Sequence, residues 1–181
     1  MVGFPFRGYR GRAMLFLSRR KLLVGGASLA GLTAVGVPAS ILPAAAEGFR
    51  VFSAEEAALI HALGEVFFPE GNPLEVSAAD VDLPLLVDTL VADELDPVVT
   101  PLFRYLLRGL EAGTLVSRGT RFSKLPVSER REVVETWSDN GVLPRRLAHD
   151  AIKSVLGMAF FNAEAVIARI GWSPHCHGAT S

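Results

Sequence analysis

The chain has 181 residues, half of them hydrophobic, with 18 Lys and Arg, 19 Asp and Glu, one cysteine and a net charge of −1. The lone Cys176 excludes an intrachain disulfide, a Cys-based zinc site and a C-x-x-C-H haem attachment, and leaves its thiol only an intermolecular partner. Six of the basic residues fall before Glu47, so the remainder carries twelve Lys and Arg against nineteen acids, a balance that argues against nucleic acid, whose phosphates demand a basic face.

Ser18-Arg19-Arg20-Lys21-Leu22-Leu23 sets two adjacent arginines before an apolar run and resembles the twin-arginine export signal of bacteria. No charge occurs from Leu22 to Ala46, and the run closes on Pro43-Ala44-Ala45-Ala46-Glu47. This is an A-x-A cleavage pattern in which Ala44 and Ala46 suit the shallow pockets of a signal peptidase and Glu47 begins the mature chain. Gly25, Gly26, Gly31 and Gly36 keep the run mildly hydrophobic, as fits a leader that exports a folded cargo. The alternative is a membrane anchor, since 25 uncharged residues are long enough to span a bilayer. Pro38 and Pro43 would interrupt such a helix and weigh for cleavage. Residues 1 to 17 are rich in Gly and Arg, and Met14 offers a shorter start. The expected organisation is a signal over residues 1–46 and one domain over 47–181, placed in the periplasm.

After the leader, Ser53-Ala54-Glu55-Glu56 reads as a capping box that starts a helix. Leu59, Ile60, Leu63, Val66 and Phe67 form its apolar stripe, and Pro69 ends it. His61 beside that stripe reads as a packed or solvated histidine rather than a metal ligand. Asp82 with Pro84 opens a second helix carrying Leu85, Leu86, Val87, Leu90 and Val91. The acids around it, Asp80, Asp82, Asp88, Asp93, Glu94 and Asp96, lack the glycine turn and closing glutamate of a calcium loop. A third helix starts at Asp96-Pro97 or Thr100-Pro101 and carries Leu102, Phe103, Leu106, Leu107 and Leu110, with Gly109 and Gly113 either admitting a close neighbour or fraying its end. Val133, Val134 and Trp137 mark a fourth, ended by Asn140-Gly141. Pro144 opens a fifth, through Leu147, Ile152, Val155, Leu156 and Phe160, and Asn162 caps a short sixth that stops at Gly171.

No stretch alternates with period two, so the fold class is all-α, a compact bundle of about five to six helices. The charges are segregated along the chain: from Val51 to Phe103 there are eleven acids and no Lys or Arg, and the basic residues follow. This pattern permits two faces of opposite sign or ordinary solvated helix faces.

Several short blocks together resemble the gluconate 2-dehydrogenase subunit 3 family. They are the twin-arginine leader, Phe52-Ser53-Ala54-Glu55-Glu56, Phe67-Phe68-Pro69-Glu70, and Phe122-Ser123-Lys124-Leu125-Pro126 with Arg130 or Arg131 and Trp137. Gly157-Met158-Ala159-Phe160-Phe161 and Ile170-Gly171-Trp172-Ser173-Pro174 complete the set. Where the family commonly has tyrosines, this chain has Phe160, Phe161 and Trp172, which keep ring packing and lose phenolic hydroxyls. The resemblance implies a small subunit that binds no cofactor itself and accompanies an FAD-dependent dehydrogenase of the glucose-methanol-choline type. It escorts and stabilises that flavoprotein through the twin-arginine translocase, and electrons pass on to a cytochrome c subunit carrying haem c or to another acceptor.

The residues themselves are consistent with a chain that is not catalytic alone. There is no G-x-G-x-x-G, no G-x-S-x-G, no P-loop and no H-E-x-x-H. Two rival readings stand beside the escort. One is a free-standing periplasmic helical protein binding a small ligand in a pocket of Phe103, Tyr105, Trp137 and Phe160. The other is a metal-dependent enzyme using His175-Cys176-His177. For the escort, the candidate partner interface is Phe160, Phe161, Trp172 and Pro174, an aromatic set beyond what a short terminal helix needs.

Overall fold

The computed structural model describes residues 42–139 and 143–171. Six α-helices occur there: α1 Ala54–Phe67, α2 Leu83–Glu94, α3 Val99–Arg118, α4 Val127–Asp139, α5 Leu143–Phe161 and α6 Glu164–Ile170. A 3₁₀ turn at Phe122–Lys124 stands between α3 and α4, and there is no strand among the described residues. The bundle agrees with the all-α expectation.

Side-chain caps set the starts of the first two helices. At α1 both arms of the capping box are formed, with the Glu56 N–H donating to Ser53 Oγ at 3.3 Å and the Ser53 N–H donating to Glu56 Oε2 at 2.9 Å. At α2 the Asp82 carboxylate accepts from the Leu85 N–H at 3.3 Å, with Pro84 in the first turn. Helix α3 runs straight through Gly109 and Gly113 to Arg118, so those glycines do not end it. Its contacts along one face outweigh the intrinsic helix cost of two glycines, about 1 kcal/mol each. The cap of α6 is Ala163 with no side-chain bond, one residue later than expected, and Asn162 instead completes the end of α5 through its N–H to the Met158 carbonyl.

Helix α5 lies at the centre, packing against α2, α4, α3, α1 and α6. The core it completes holds Leu59, Ile60 and Leu63 of α1, Val87 and Val91 of α2, Phe103 and Leu107 of α3, and Ile152, Leu156 and Phe160 of α5. Gly64 lets the segment 78–83 come down on α1. A Cβ there would stand 2.8 Å from Leu83 and 2.9 Å from the Cβ of Ala78, closer than packed carbons approach.

The segregated charge resolves into long-range pairs instead of two opposed faces. Arg104 and Arg108 reach Glu56 at 2.7 and 3.6 Å, Arg121 reaches Glu55 at 3.2 Å, and Arg130 and Arg169 pair with Glu65 and Glu75. The acidic first half is thus stitched to the basic second half. Exposed pairs of this kind contribute little to stability. The Arg104–Glu56 pair differs because both side chains are buried.

Candidate functional site

Two of the resembling blocks meet in space. Phe68 of the Phe67-Phe68-Pro69-Glu70 block stacks on Phe160 with ring centroids 4.0 Å apart and planes within 6°. Phe161 closes on both rings edge-on, at 6.3 Å from Phe68 and 5.5 Å from Phe160. The Phe122 to Pro126 block is likewise structural. Arg130 donates from Nε to the Leu125 carbonyl at 2.8 Å and pairs with Glu65, fastening that loop to α1, while Glu111 takes the Ser123 backbone N–H at 3.0 Å.

The two phenylalanines of α5 have different surroundings. Consecutive helical residues point about 100° apart, so one faces in and the other out. Phe160 is wholly buried and is closed to a partner by the chain's own fold, which corrects its assignment to the interface. Phe161 is 49% exposed. Following its direction along α5 gives Met158, Ser154, Ala151, Leu147 and Leu143, spaced three or four residues apart and therefore on one face. Leu143, Leu147 and Met158 are each about half exposed or more. The Ser154 hydroxyl turns back to the Asp150 carbonyl at 2.7 Å, and the one charge on this stripe is the exposed Asp150 carboxylate, about 20° round the helix from Leu143 and Phe161 and 3.0 Å from His149 Nδ1.

Four large side chains about half exposed, at roughly 200 Å² each, leave about 400 Å² of apolar surface in one strip, at the upper end for a monomer and about half of one partner's share in a stable interface. By helical position Asp150 stands at one edge of it, with Arg146 and Lys153, both exposed, beyond. No single helix among the described residues is long and apolar enough to cross a membrane, and the pair α5 and α6 is bent by 77°.

The remaining expected site residues fall as follows. Ser18, Arg19, Arg20, Leu22 and Leu23 of the export signal, and Trp172, Pro174, Cys176 and the His175 and His177 pair, lie outside the described residues. Ala44 and Glu47 are exposed and Ala46 is half-buried. The ligand pocket of Phe103, Tyr105, Trp137 and Phe160 is not assembled. Phe103 is buried edge-on against Phe52 at 6.1 Å, and Phe160 is buried under Phe68. The void beside Trp137 and His149 is about 10 Å³, room for one water at most. A surface cleft of about 360 Å³ beside Phe68 is lined by Glu65, Glu70 and Ser77, of which Glu65 is engaged by Arg130 and Ser77 by Asp80. Among the described residues no three His, Cys, Asp or Glu side chains converge as a metal set. His61 is exposed, with its Nδ1 4.0 Å from Glu65 one turn on, a carboxylate neighbour that the sequence reading passes over.

Sequence reasoning missed the strap that leads into α1. Asp88, read there as one of a crowd of acids, is buried and accepts three successive backbone donors: Arg50 N–H at 2.7 Å, Val51 at 2.9 Å and Phe52 at 3.0 Å. Arg104 holds both oxygens of Glu56 and also donates from Nη2 to the Pro43 carbonyl at 2.7 Å. The signal that could have exposed Asp88 is its place amid Leu86, Val87, Leu90 and Val91, on the apolar side of its helix.

Nothing matches the chain among curated proteins or solved structures. A family model described as gluconate 2-dehydrogenase subunit 3 matches residues 54–174, from the first turn of α1 past the end of α6. With two thirds of its length inside that match, the chain belongs to the gluconate 2-dehydrogenase subunit 3 family.

Proposed function

We propose that the chain is the non-catalytic small subunit of a periplasmic FAD-dependent dehydrogenase acting on the CH–OH group of a sugar, sugar acid or other alcohol. Its work is to bind the flavoprotein subunit, stabilise it and carry it through the twin-arginine translocase as a folded pair. FAD resides in the partner, and haem c in a third, cytochrome subunit takes the electrons onward. The observation that carries this reading is the uncovered stripe from Leu143 to Phe161 on α5, an apolar surface on a chain whose family is named for a place in a dehydrogenase complex. A subunit must bury something against its neighbours, and interface centres are rich in aromatic groups, Met and Arg and poor in Lys, Asp and Glu. The export signal at Arg19 and Arg20 supports the escort. A leader for folded cargo has a purpose when a cofactor-loaded partner must cross with it.

The test is to replace Arg19 and Arg20 with lysines in cells that make both subunits. Flavoprotein activity should move from the periplasmic to the cytoplasmic fraction together with this chain. Export of the flavoprotein in the absence of this chain's signal overturns the escort.

A further inference from the structure

We infer that the folded domain holds its own leader-cleavage bond in a form that a signal peptidase cannot accept, so cutting between Ala46 and Glu47 requires residues 43–46 to come away from the domain first. This rests on the export reading above. The bond lies inside a tight turn: the Phe49 N–H donates to the Ala46 carbonyl oxygen at 3.0 Å, and Gly48 at the third position has φ of +84°. That is the geometry of a type II turn. On the leader side the Ala46 N–H donates to the Phe52 carbonyl at 2.9 Å, and the Pro43 carbonyl accepts from the buried Arg104 at 2.7 Å. Phe52 is itself pinned by the Asp88 carboxylate.

Hydrolysis here breaks the bond between the Ala46 carbonyl carbon and the Glu47 nitrogen, with water supplying a hydroxyl to the carbon and a proton to the leaving amine. The enzyme must direct hydrogen-bond donors at the Ala46 carbonyl oxygen and bind the preceding residues as an extended strand. In the folded chain that oxygen already has a donor, and both Ala46 N–H and Pro43 C=O are taken by the domain. The side chains of Ala44 and Ala46 satisfy the pockets, but the backbone between them is not free. Folding and cleavage therefore compete for the same four residues, and a leader attached to a folded body is cut slowly.

The experiment uses the full-length chain in detergent with purified bacterial signal peptidase, following the mass of the product. Three forms are compared: wild type, Gly48→Val, and Leu107→Asp, which puts a carboxylate at a fully buried position and unfolds the domain. Leu107→Asp should be cut after Ala46 at least tenfold faster than wild type. Gly48→Val strains the positive φ and loosens the turn at a site with nothing around it, so it should be cut about tenfold faster than wild type with an unchanged helical spectrum. A wild-type chain cut as fast as Leu107→Asp, or a Gly48→Val chain cut at the wild-type rate, overturns the inference and leaves the export reading standing. If Leu107→Asp is itself not cut after Ala46, the leader assignment fails and this inference falls with it.

Discussion

Along α5 the inward residues Ile152, Val155, Leu156 and Phe160 and the outward residues Leu143, Leu147, Met158 and Phe161 are equally apolar, yet their surroundings differ completely. The inward set is 8% exposed or less, and the outward set 49% or more. The strap behaves like the inward set, because its backbone donors are claimed by Asp88 and its carbonyl at Pro43 by Arg104. The difference teaches that apolar composition does not separate core from interface. What separates them is whether the chain covers the surface itself, and on the outer face of α5 it does not.

The comparison breaks most visibly where the chain has satisfied itself. Phe160→Ala removes a ring stacked on Phe68 and should destabilise the domain by about 3–5 kcal/mol, read as a shift in the denaturant midpoint. An equal loss for Phe161→Ala would erase the distinction between the two faces. Asp88→Ala leaves three backbone N–H groups without their carboxylate and should cost about 3 kcal/mol by the same measurement. A neutral outcome would mean that water replaces the carboxylate at the strap.

Much of the local structure is legible in the sequence. The Ser53 and Asp82 caps, the apolar stripe of α1 and the position of Pro144 in α5 follow from rules that involve neighbours within a turn. The candidate site is legible only in part. Periodicity reports that Phe160 and Phe161 are both apolar and cannot report which one meets Phe68, because that contact joins positions more than 90 residues apart. The same limit hides the Asp88 cradle and the Arg104 clamp on Pro43. Each depends on how α2 and α3 pack against the strap, and no motif within a helical turn encodes it.

Effects on stability become small on the outer face. Leu147→Asp should change the folding free energy by no more than about 0.5 kcal/mol, since the side chain is already half in water. The smallest effect lies at Asp80. Its carboxylate is held below the usual range chiefly by the Ser77 backbone N–H and then by the Ser77 hydroxyl, with burial opposing. A depressed folded value contributes stability that is present above the unfolded value near 4 and is lost as the pH falls through the folded one. The difference in melting temperature between wild type and Asp80→Asn should therefore vanish only below about pH 4. A difference that disappears at neutral pH would contradict this assignment.

The central claim, that the outer face of α5 is where the dehydrogenase subunit docks, is tested most directly by co-purification. Tagged wild type and the double variant Leu147→Asp with Met158→Asp are each co-expressed with the flavoprotein subunit of the complex, and the FAD absorbance retained per mole of tagged chain is measured. The account predicts a stoichiometric flavin signal with wild type. It predicts at least a thirtyfold weaker association for the double variant, about 2 kcal/mol or more, with an unchanged helical spectrum. Full flavin retention by the double variant would contradict it and return this face to ordinary solvent-exposed surface.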